Sequence, residues 1–248
     1  MDEKKNKKGL KVYSIIITIA AVLFLAAFIG VFFYSGLSDK VLIKLGLKED
    51  EYWTEERIFA RGWQLSLEKQ DISCDAAFFG DSLTQNSDFR DYFPDTDIIE
   101  LGVGGDYISM MTDRLFTLQA VHPSKVFVMG GINNLINGMS VETSLSDYAA
   151  MLDYMIEYLP GSEIYVQSVL PISEYAEELY CSNDKVYEFN QGIKALAEER
   201  GLTYIDIFPA YLTEEGSLPD YLTTDGVHLS FPEGYDIWAD AISVYINE

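Results

Sequence analysis

The chain has 248 residues, 48% of them hydrophobic, which is enough for one globular domain with a substantial core and excludes a disordered protein. Its 17 lysines and arginines are outnumbered by 40 aspartates and glutamates, giving a formal net charge of -23 at pH 7, although five of the lysines lie within residues 1–11. The acidic remainder would be repelled by nucleic acid and by anionic lipid, so nucleic-acid binding is excluded as the function.

The first predicted element is an apolar segment, residues 12–34, with no charged side chain between Lys11 and Asp39. It is long enough to span a bilayer as a helix. A cleaved signal peptide is the alternative, but its apolar region is usually about 7–15 residues long, and no small-residue cleavage site follows here. The lysines of residues 1–11 favour a basic tail in the cytoplasm. We therefore expect a single-pass protein of the cell membrane whose body lies outside the cytoplasm, or a secreted protein if the anchor is cleaved.

Residues 35–70 are expected to form a stalk and a leading helix that docks on one face of the domain formed by residues 71–248. In that domain, apolar runs typical of buried strands alternate with helix-like segments. This alternation predicts an α/β fold, with a parallel sheet covered by helices on both faces. The predicted strands are Ala76–Phe79, Asp97–Leu101, Lys125–Met129, Glu163–Val169 and Thr203–Ile207.

Three helices are indicated by their patterns. Apolar residues recur every three or four positions over residues 141–159 and 186–196, and Gly201 is expected to end the second helix. Ser230 and Glu233 predict a capping box that starts a last helix. The two cysteines of the chain show no metal-ligand spacing, and they form either one bridge or two separate buried thiols.

Three motifs follow successive strands, at the edge of a parallel sheet where ligands bind. Residues 80–83 read Gly-Asp-Ser-Leu, and their serine, Ser82, is either a helix cap or a nucleophile. Residues 101–106 contain three glycines and form either a plain turn or a backbone N–H site for an anion. In residues 130–134, Asn133 is either a turn residue or an amide donor to an oxyanion.

A fourth motif carries one of the two histidines. Asp225 lies three residues before His228, so that one short loop could hold a carboxylate against the imidazole. The alternative is a surface histidine in a turn. The other histidine, His122, precedes Pro123 in a loop with no acidic neighbour, and we expect it to be structural.

Taken together, these motifs resemble the SGNH/GDSL serine hydrolases, a family named for its Gly-Asp-Ser-Leu block and for its Ser, Gly, Asn and His hallmarks. The resemblance covers about residues 52–247. It implies that Ser82, His228 and Asp225 form a catalytic triad. It also implies an oxyanion hole made by the N–H groups of Ser82 and Gly105 and the side chain of Asn133.

The resemblance further implies a three-layer α/β/α domain with a five-stranded, flavodoxin-like parallel sheet. Residues 166–171 and 204–206 are similar to the branch related to platelet-activating-factor acetylhydrolase-like esterases. The sequence departs from the family at Asn134, where aspartate is usual, and a looser loop behind Asn133 is expected as a result.

The expected activity is hydrolysis of small acyl esters, most simply acetyl esters on carbohydrate, through an acyl-enzyme. The scheme requires no metal and no organic cofactor. Its partners are a small-molecule or polysaccharide ester and, through the N-terminal helix, the membrane, while the oligomeric state stays open. Two alternatives are a lysophospholipase or thioesterase of the same family, and a catalytically inert carbohydrate-binding or scaffold module.

Overall fold

The computed structural model describes residues 55–67, 70 and 72–247. The predicted basic tail, membrane anchor and most of the stalk lie outside these residues. Within the described part of the chain, no helix is long and apolar enough to cross a membrane.

The centre of the domain is the predicted parallel sheet, which is confirmed. Within the described residues, its five strands are ordered β2-β1-β3-β4-β5, which is the flavodoxin-like order. The strands are β1 (Cys74–Gly80), β2 (Ile98–Gly102), β3 (Pro123–Met129), β4 (Glu163–Gln167) and β5 (Thr203–Ile205).

Strands β4 and β5 each end two residues earlier than predicted. The cause is Ser168, whose hydroxyl accepts the backbone N–H groups of Ile207 and Phe208 at 2.9 and 2.8 Å. These bonds replace the ladder bonds that a longer strand would make, and the chain turns away from the sheet.

Strands β2, β1 and β3 end at the same level. In the register of the sheet, Gly80 pairs with Gly102 on one side and with Met129 on the other. Segments that follow β1, β2 and β3 therefore begin side by side, as expected for the three motifs.

Helices lie on both faces of the sheet, each over its own apolar cluster. Alternate residues of β1 point to opposite faces, so that Ala77 and Phe79 join one cluster while Ala76 and Phe78 join the other. Described in chain order, the helices are α1 (Glu55–Leu67), α2 (Ser82–Gln85), α3 (Phe89–Tyr92), α4 (Ile108–Thr112), α5 (Phe116–Ala120), α6 (Ile132–Ile136), α7 (Val141–Tyr158), α8 (Glu174–Leu179), α9 (Asn183–Glu199) and α10 (Glu233–Ile246).

The predicted amphipathic helices correspond to α7 and α9. Gly201 follows α9 with a positive φ of 67°, and the next N–H, of Leu202, donates to the Ala197 carbonyl. Helix α1 is the predicted leading helix, and its Leu67 is buried in the cluster that contains Phe79. Cys74 and Cys181 are both buried and unbridged.

The predicted capping box is wrong. Helix α10 begins at Glu233, its N-cap is Pro232, and no side chain caps it. The hydroxyl of Ser230 instead donates to the Tyr221 carbonyl at 3.0 Å, because Ser230 lies two residues ahead of the cap and faces the preceding turn.

Candidate active site

Ser82 lies at the start of α2, directly after a sharp turn at the end of β1. A Cβ atom on Gly80 would collide with the Thr84 side chain and the Met129 carbonyl, so only glycine permits this close approach. The carboxylate of Asp81 caps α2 by accepting the N–H of Leu83 at 3.1 Å. The cap is therefore Asp81, which leaves the Ser82 hydroxyl free for other contacts.

The loop that carries Asp225 and His228 is held against α8. The Gly226 carbonyl accepts the N–H of Ser173 at 2.8 Å. Gly226 has a φ of 93°, and a side chain there would strike Ser173 and Ala176. This contact fixes the height of the loop above the sheet.

Helix α10 fastens the other end of the same loop. Its Tyr235 hydroxyl donates to the Leu83 carbonyl at 3.0 Å, and its Trp238 indole donates to Gln167 Oε1 at 2.6 Å. The first bond joins α10 to α2, so the histidine loop and the serine helix share one support.

The structure brings Ser82, His228 and Asp225 into one hydrogen-bonded row. His228 Nε2 lies 2.8 Å from Ser82 Oγ, and His228 Nδ1 lies 2.6 Å from Asp225 Oδ2. The His228 side chain is 33% exposed and that of Asp225 is 54% exposed, so the outer end of the row meets solvent. With Asp225 ionised, Nδ1 carries the proton that faces it and Nε2 is the acceptor that faces the serine.

Local hydrogen bonds keep Asp225 ionised. Partial burial raises its pKa, but this effect is outweighed by the backbone N–H of His228, by the imidazole itself and by the N–H of Val227. The backbone bonds measure 2.8 and 3.0 Å to Oδ1. The pKa of Asp225 therefore lies below its ordinary value, and the carboxylate stays charged at neutral pH.

Gly105 lies in the turn after β2 with a φ of 71°. The N–H of its neighbour Gly104 is occupied, because it donates to Gln85 Oε1 at 2.6 Å. The Gly105 N–H makes no hydrogen bond to the described residues. Like the N–H of Ser82 in the first turn of α2, it can serve a ligand.

Asn133 lies in α6, after β3, and its amide faces the same turn. Nδ2 donates to the Asp106 carbonyl at 3.1 Å and lies 3.4 Å from Asp81 Oδ2. The three groups expected to form an oxyanion hole therefore come from the ends of β1, β2 and β3. Their role as donors stays a prediction.

The loop behind Asn133 is not loosened by Asn134. This side chain is fully buried, and its Oδ1 accepts the N–H of Ile108 at 3.1 Å. Asparagine thus retains an acceptor oxygen that ties α6 to α4, because one oxygen of an amide can replace one oxygen of a carboxylate.

Sequence reasoning missed the buried ion pair under the site. Arg114 Nε donates to Asp106 Oδ2, and its two terminal nitrogens donate to the carbonyls of Leu101 and Gly80, all at 2.6 Å. The guanidinium also lies over the Phe79 ring, 4.2 Å from its centroid. Arg114 therefore holds the ends of β1 and β2 together, and the sequence carried no motif that pointed to it.

Asp81 is a second buried charge that the sequence did not reveal. Burial raises its pKa to about 6, against the lowering effects of the Leu83 N–H, His228 and Arg114.

His122 is not part of the site. It is exposed, with a φ of 39°, and it precedes β3, at the end of the strands opposite to Ser82. Among residues 55–67, 70 and 72–247, no group of three His, Cys, Asp or Glu side chains could hold a metal ion.

The chain belongs to the GDSL-like lipase/acylhydrolase family, whose model matches residues 78–237. The members of this family are hydrolases that act on ester bonds. The matched segment begins within β1 and ends within α10, so it contains all five residues of the predicted site.

Solved structures with the same fold include a Streptococcus pneumonia protein described as a platelet activating factor. It has a TM-score of 0.71 and 23% identity, and the match covers 86% of this chain and 98% of that one. An acetyl xylan esterase has a TM-score of 0.57 and 20% identity, covering 68% of this chain and 98% of that one.

A curated relative is the N-acylneuraminate cytidylyltransferase of Streptococcus agalactiae serotype V, which is 23% identical over 169 residues. The match covers 68% of this chain but only 38% of the relative. The chain thus corresponds to little more than a third of the length of that protein.

Proposed function

We propose that this protein is a membrane-anchored serine esterase that removes small acyl groups, acetyl above all, from carbohydrate outside the cytoplasm. The observation that carries the proposal is the hydrogen-bonded row of Ser82, His228 and Asp225, with distances of 2.8 and 2.6 Å. Serine hydroxyls are weak nucleophiles unless a neighbouring base accepts their proton, and this row supplies that base.

In the first half of the reaction, Ser82 Oγ attacks the ester carbonyl carbon while its proton passes to His228 Nε2. The carbonyl π electrons move onto oxygen, and the resulting oxyanion is bound by the N–H groups of Ser82 and Gly105 and by the Asn133 amide. When the tetrahedral intermediate collapses, the bond to the alcohol breaks. The alcohol takes the proton from His228 and leaves an acyl-serine.

In the second half, water replaces the alcohol. His228 Nε2 accepts a proton from water as the oxygen attacks the acyl-serine, and the same donors bind the second oxyanion. The bond to Ser82 Oγ then breaks, the serine regains its proton from His228, and the carboxylic acid leaves. Asp225 keeps one imidazole tautomer in place and stabilises the imidazolium in both halves.

The substrate class is supported by charge and by the relatives. An acidic body disfavours approach to anionic lipid surfaces, which argues against bulk phospholipid. One structural neighbour is an acetyl xylan esterase, and the curated relative is named for an acylated sugar acid. Only the first of these names is that of an ester, a short acyl group on a carbohydrate, because the acyl group of an N-acylneuraminate is an amide on nitrogen.

The location follows from the segments that precede the domain. In the proposed topology, residues 12–34 would span the membrane with residues 1–11 in the cytoplasm, and the stalk and leading helix of residues 35–70 would lead to residues 71–248 outside. Treatment of intact cells with protease should degrade the domain while a tag placed on residue 1 stays protected. Protection of the domain would contradict this topology.

The nucleophile is tested by labelling with a fluorophosphonate probe. The wild-type chain and a Ser243→Ala control should be labelled, whereas Ser82→Ala should not. Ser243 is a suitable control because its hydroxyl donates to the Asp240 carbonyl within α10, away from the site. Labelling of the Ser82→Ala chain would identify a different serine and overturn the proposed triad.

The acyl preference is tested with nitrophenyl esters of increasing chain length. We expect the highest kcat/KM for acetate and a steady fall with longer acyl groups. A preference for long chains would favour the lysophospholipase or thioesterase alternative. An unlabelled chain inert toward every ester would indicate a binding module.

A further inference from the structure

A cavity of about 600 Å³ lies beside the candidate active site, at the β2 edge of the sheet. One wall is α1, which contributes the aromatic rings of Phe59 and Trp63. The opposite wall is formed by Gln85 of α2, Arg90 of α3 and the side chain of Glu100 in β2. The cavity is therefore built partly from the serine helix and partly from the leading helix.

Gly104 links this cavity to the nucleophile. A Cβ atom built on Gly104 would lie 3.7 Å from Ser82 Cβ and 3.3 Å from Gln85 Oε1. Ser82 and Gln85 are also three residues apart in α2, so that their side chains lie within about one helical turn, ~5 Å, of each other. Gln85 lines the cavity and Ser82 lies one turn away from it, so a substrate held at Ser82 would have to pass Gly104 to reach the cavity.

The aromatic wall is open to solvent. Trp63 is 42% exposed and Phe59 is 77% exposed, and the two lie four residues apart on one face of α1. Exposed aromatic rings on a rigid helix form a flat apolar surface, on which the C–H face of a sugar ring can pack without losing hydrogen bonds.

The remaining walls are polar and rich in acceptors. Glu100 presents a carboxylate, and the Oε1 atom of the buried Gln64, at the base of α1, receives no hydrogen bond from the described residues. A buried oxygen that accepts no hydrogen bond is unfavourable. A hydroxyl group that entered here could donate one to it and would bind more favourably than an alkyl chain. An acyl chain has no donor to offer.

Charge excludes an anionic occupant. Arg90 is the one cation in the described lining, and its Nη2 atom lies 3.6 Å from both Asp88 and Glu100. Its charge is therefore balanced by two carboxylates, and a phosphate or sugar carboxylate would meet net repulsion.

We propose that this cavity is the subsite for the alcohol side of the ester and that it binds a neutral pyranose ring stacked on Trp63. The inference rests on the proposed esterase function and deepens it. Helix α1, which contributes the stacking surface, lies outside residues 78–237, the segment that matches the family. The family match by itself therefore does not account for this stacking surface.

The test compares two substrates on the full chain. Nitrophenyl acetate carries no sugar, whereas acetylated xylobiose carries two pyranose rings. We expect Trp63→Ala to lower kcat/KM for acetylated xylobiose by about fivefold or more, mainly through KM, and to leave nitrophenyl acetate within about twofold. Trp63→Phe, which keeps an aromatic face, should retain most of the activity on the sugar ester.

Tyr154→Ala is the matched control, because Tyr154 is an aromatic residue of nearly equal exposure, 43%, on α7. The Tyr154→Ala change should alter kcat/KM for neither substrate. An equal loss on both substrates in Trp63→Ala, or no loss on either, would overturn the subsite. A selective loss on nitrophenyl octanoate would overturn it as well, since the cavity would then hold the acyl chain.

A binding measurement separates this inference from the proposed function. Unacetylated xylobiose should bind to the Ser82→Ala chain, as detected by saturation-transfer NMR, and binding should be lost when Trp63→Ala is added. Binding through Trp63 in a chain that cleaves no sugar ester would uphold the cavity and overturn the function. Cleavage of the sugar ester at a rate that does not depend on Trp63 would uphold the proposed function and overturn the cavity as a subsite.

Discussion

The buried ion pair of Arg114 and Asp106 allows the loss of unfolding free energy on mutation of Arg114 to be predicted. Arg114→Met keeps the length and most of the volume of the side chain but removes the guanidinium. The change leaves Asp106 buried and charged, and it strips hydrogen-bond donors from the carbonyls of Leu101 and Gly80. Removing one partner of a buried ion pair costs about 3–5 kcal/mol, out of a total stability of about 5–15 kcal/mol for a typical domain.

A second arginine moderates this loss. Arg61 Nη2 lies 4.0 Å from Asp106 Oδ1, so Asp106 retains one cationic neighbour in the variant. We therefore expect the lower half of the range, about 3 kcal/mol. The measurement is urea unfolding of the full chain followed by fluorescence, with the stability loss read from the midpoint at unchanged slope.

Arg200→Met is the matched control, because Arg200 forms its 2.7 Å ion pair with Asp153 at the surface, where Asp153 is 63% exposed. An exposed pair of this kind contributes about 0–1 kcal/mol. A loss below about 1 kcal/mol in Arg114→Met, or equal losses in the two variants, would refute this role of the buried ion pair. Adding Asp106→Asn to Arg114→Met should restore part of the stability, since the buried carboxylate that lost its closest cationic partner is then removed.

Three further predictions concern the site itself. Asn133→Ala should lower kcat by about 10²–10³-fold with the fold intact, as judged by circular dichroism, and near-normal turnover would remove Asn133 from the oxyanion hole. Asp225→Asn should lower kcat by up to about 10⁴-fold, because an amide can hold the wrong imidazole tautomer; steady-state turnover of nitrophenyl acetate tests this, and an unchanged rate would mean that Asp225 has no part in catalysis. The third prediction is one of stability. Burial raises the pKa of Asp81 to about 6, so the folded chain binds this proton more tightly than the unfolded chain, and the contribution of Asp81 to stability falls, by at most about 3 kcal/mol, as pH rises from about 4 to 6. The urea midpoint at pH 7 minus that at pH 4.5 should therefore be more positive in Asp81→Asn than in the wild type, and an identical value in the two would contradict the shift.

Local patterns were sufficient to predict the sheet and the chemistry. Short apolar runs that alternate with amphipathic segments admit few arrangements other than a covered parallel sheet. Because the carboxyl ends of neighbouring parallel strands lie at one edge, motifs that follow three strands had to come together. The Asp225–His228 pair was visible because both residues lie within one loop.

Contacts between distant segments could not be predicted in this way. Ser230 matched a capping box in sequence, yet its hydroxyl donates to Tyr221 because the chain enters α10 through Pro232. Asn134 looked like a weakened position, yet burial against α4 gives its oxygen a partner. No local motif indicated the role of Arg114, because its hydrogen-bond partners lie 8 to 34 residues away along the chain.

The sequence by itself predicted the alternation of strands and helices, because this depends on spacing along the chain, and its resemblance to a known family implied the candidate reacting groups. Only the tertiary structure decided which side chains are buried together, which is why the Arg114–Asp106 pair and the cavity between α1 and α2 emerge there. Burial depends on packing between segments far apart in sequence, which is why the partners of Arg114 and the cavity wall formed by α1 are seen only in the folded chain.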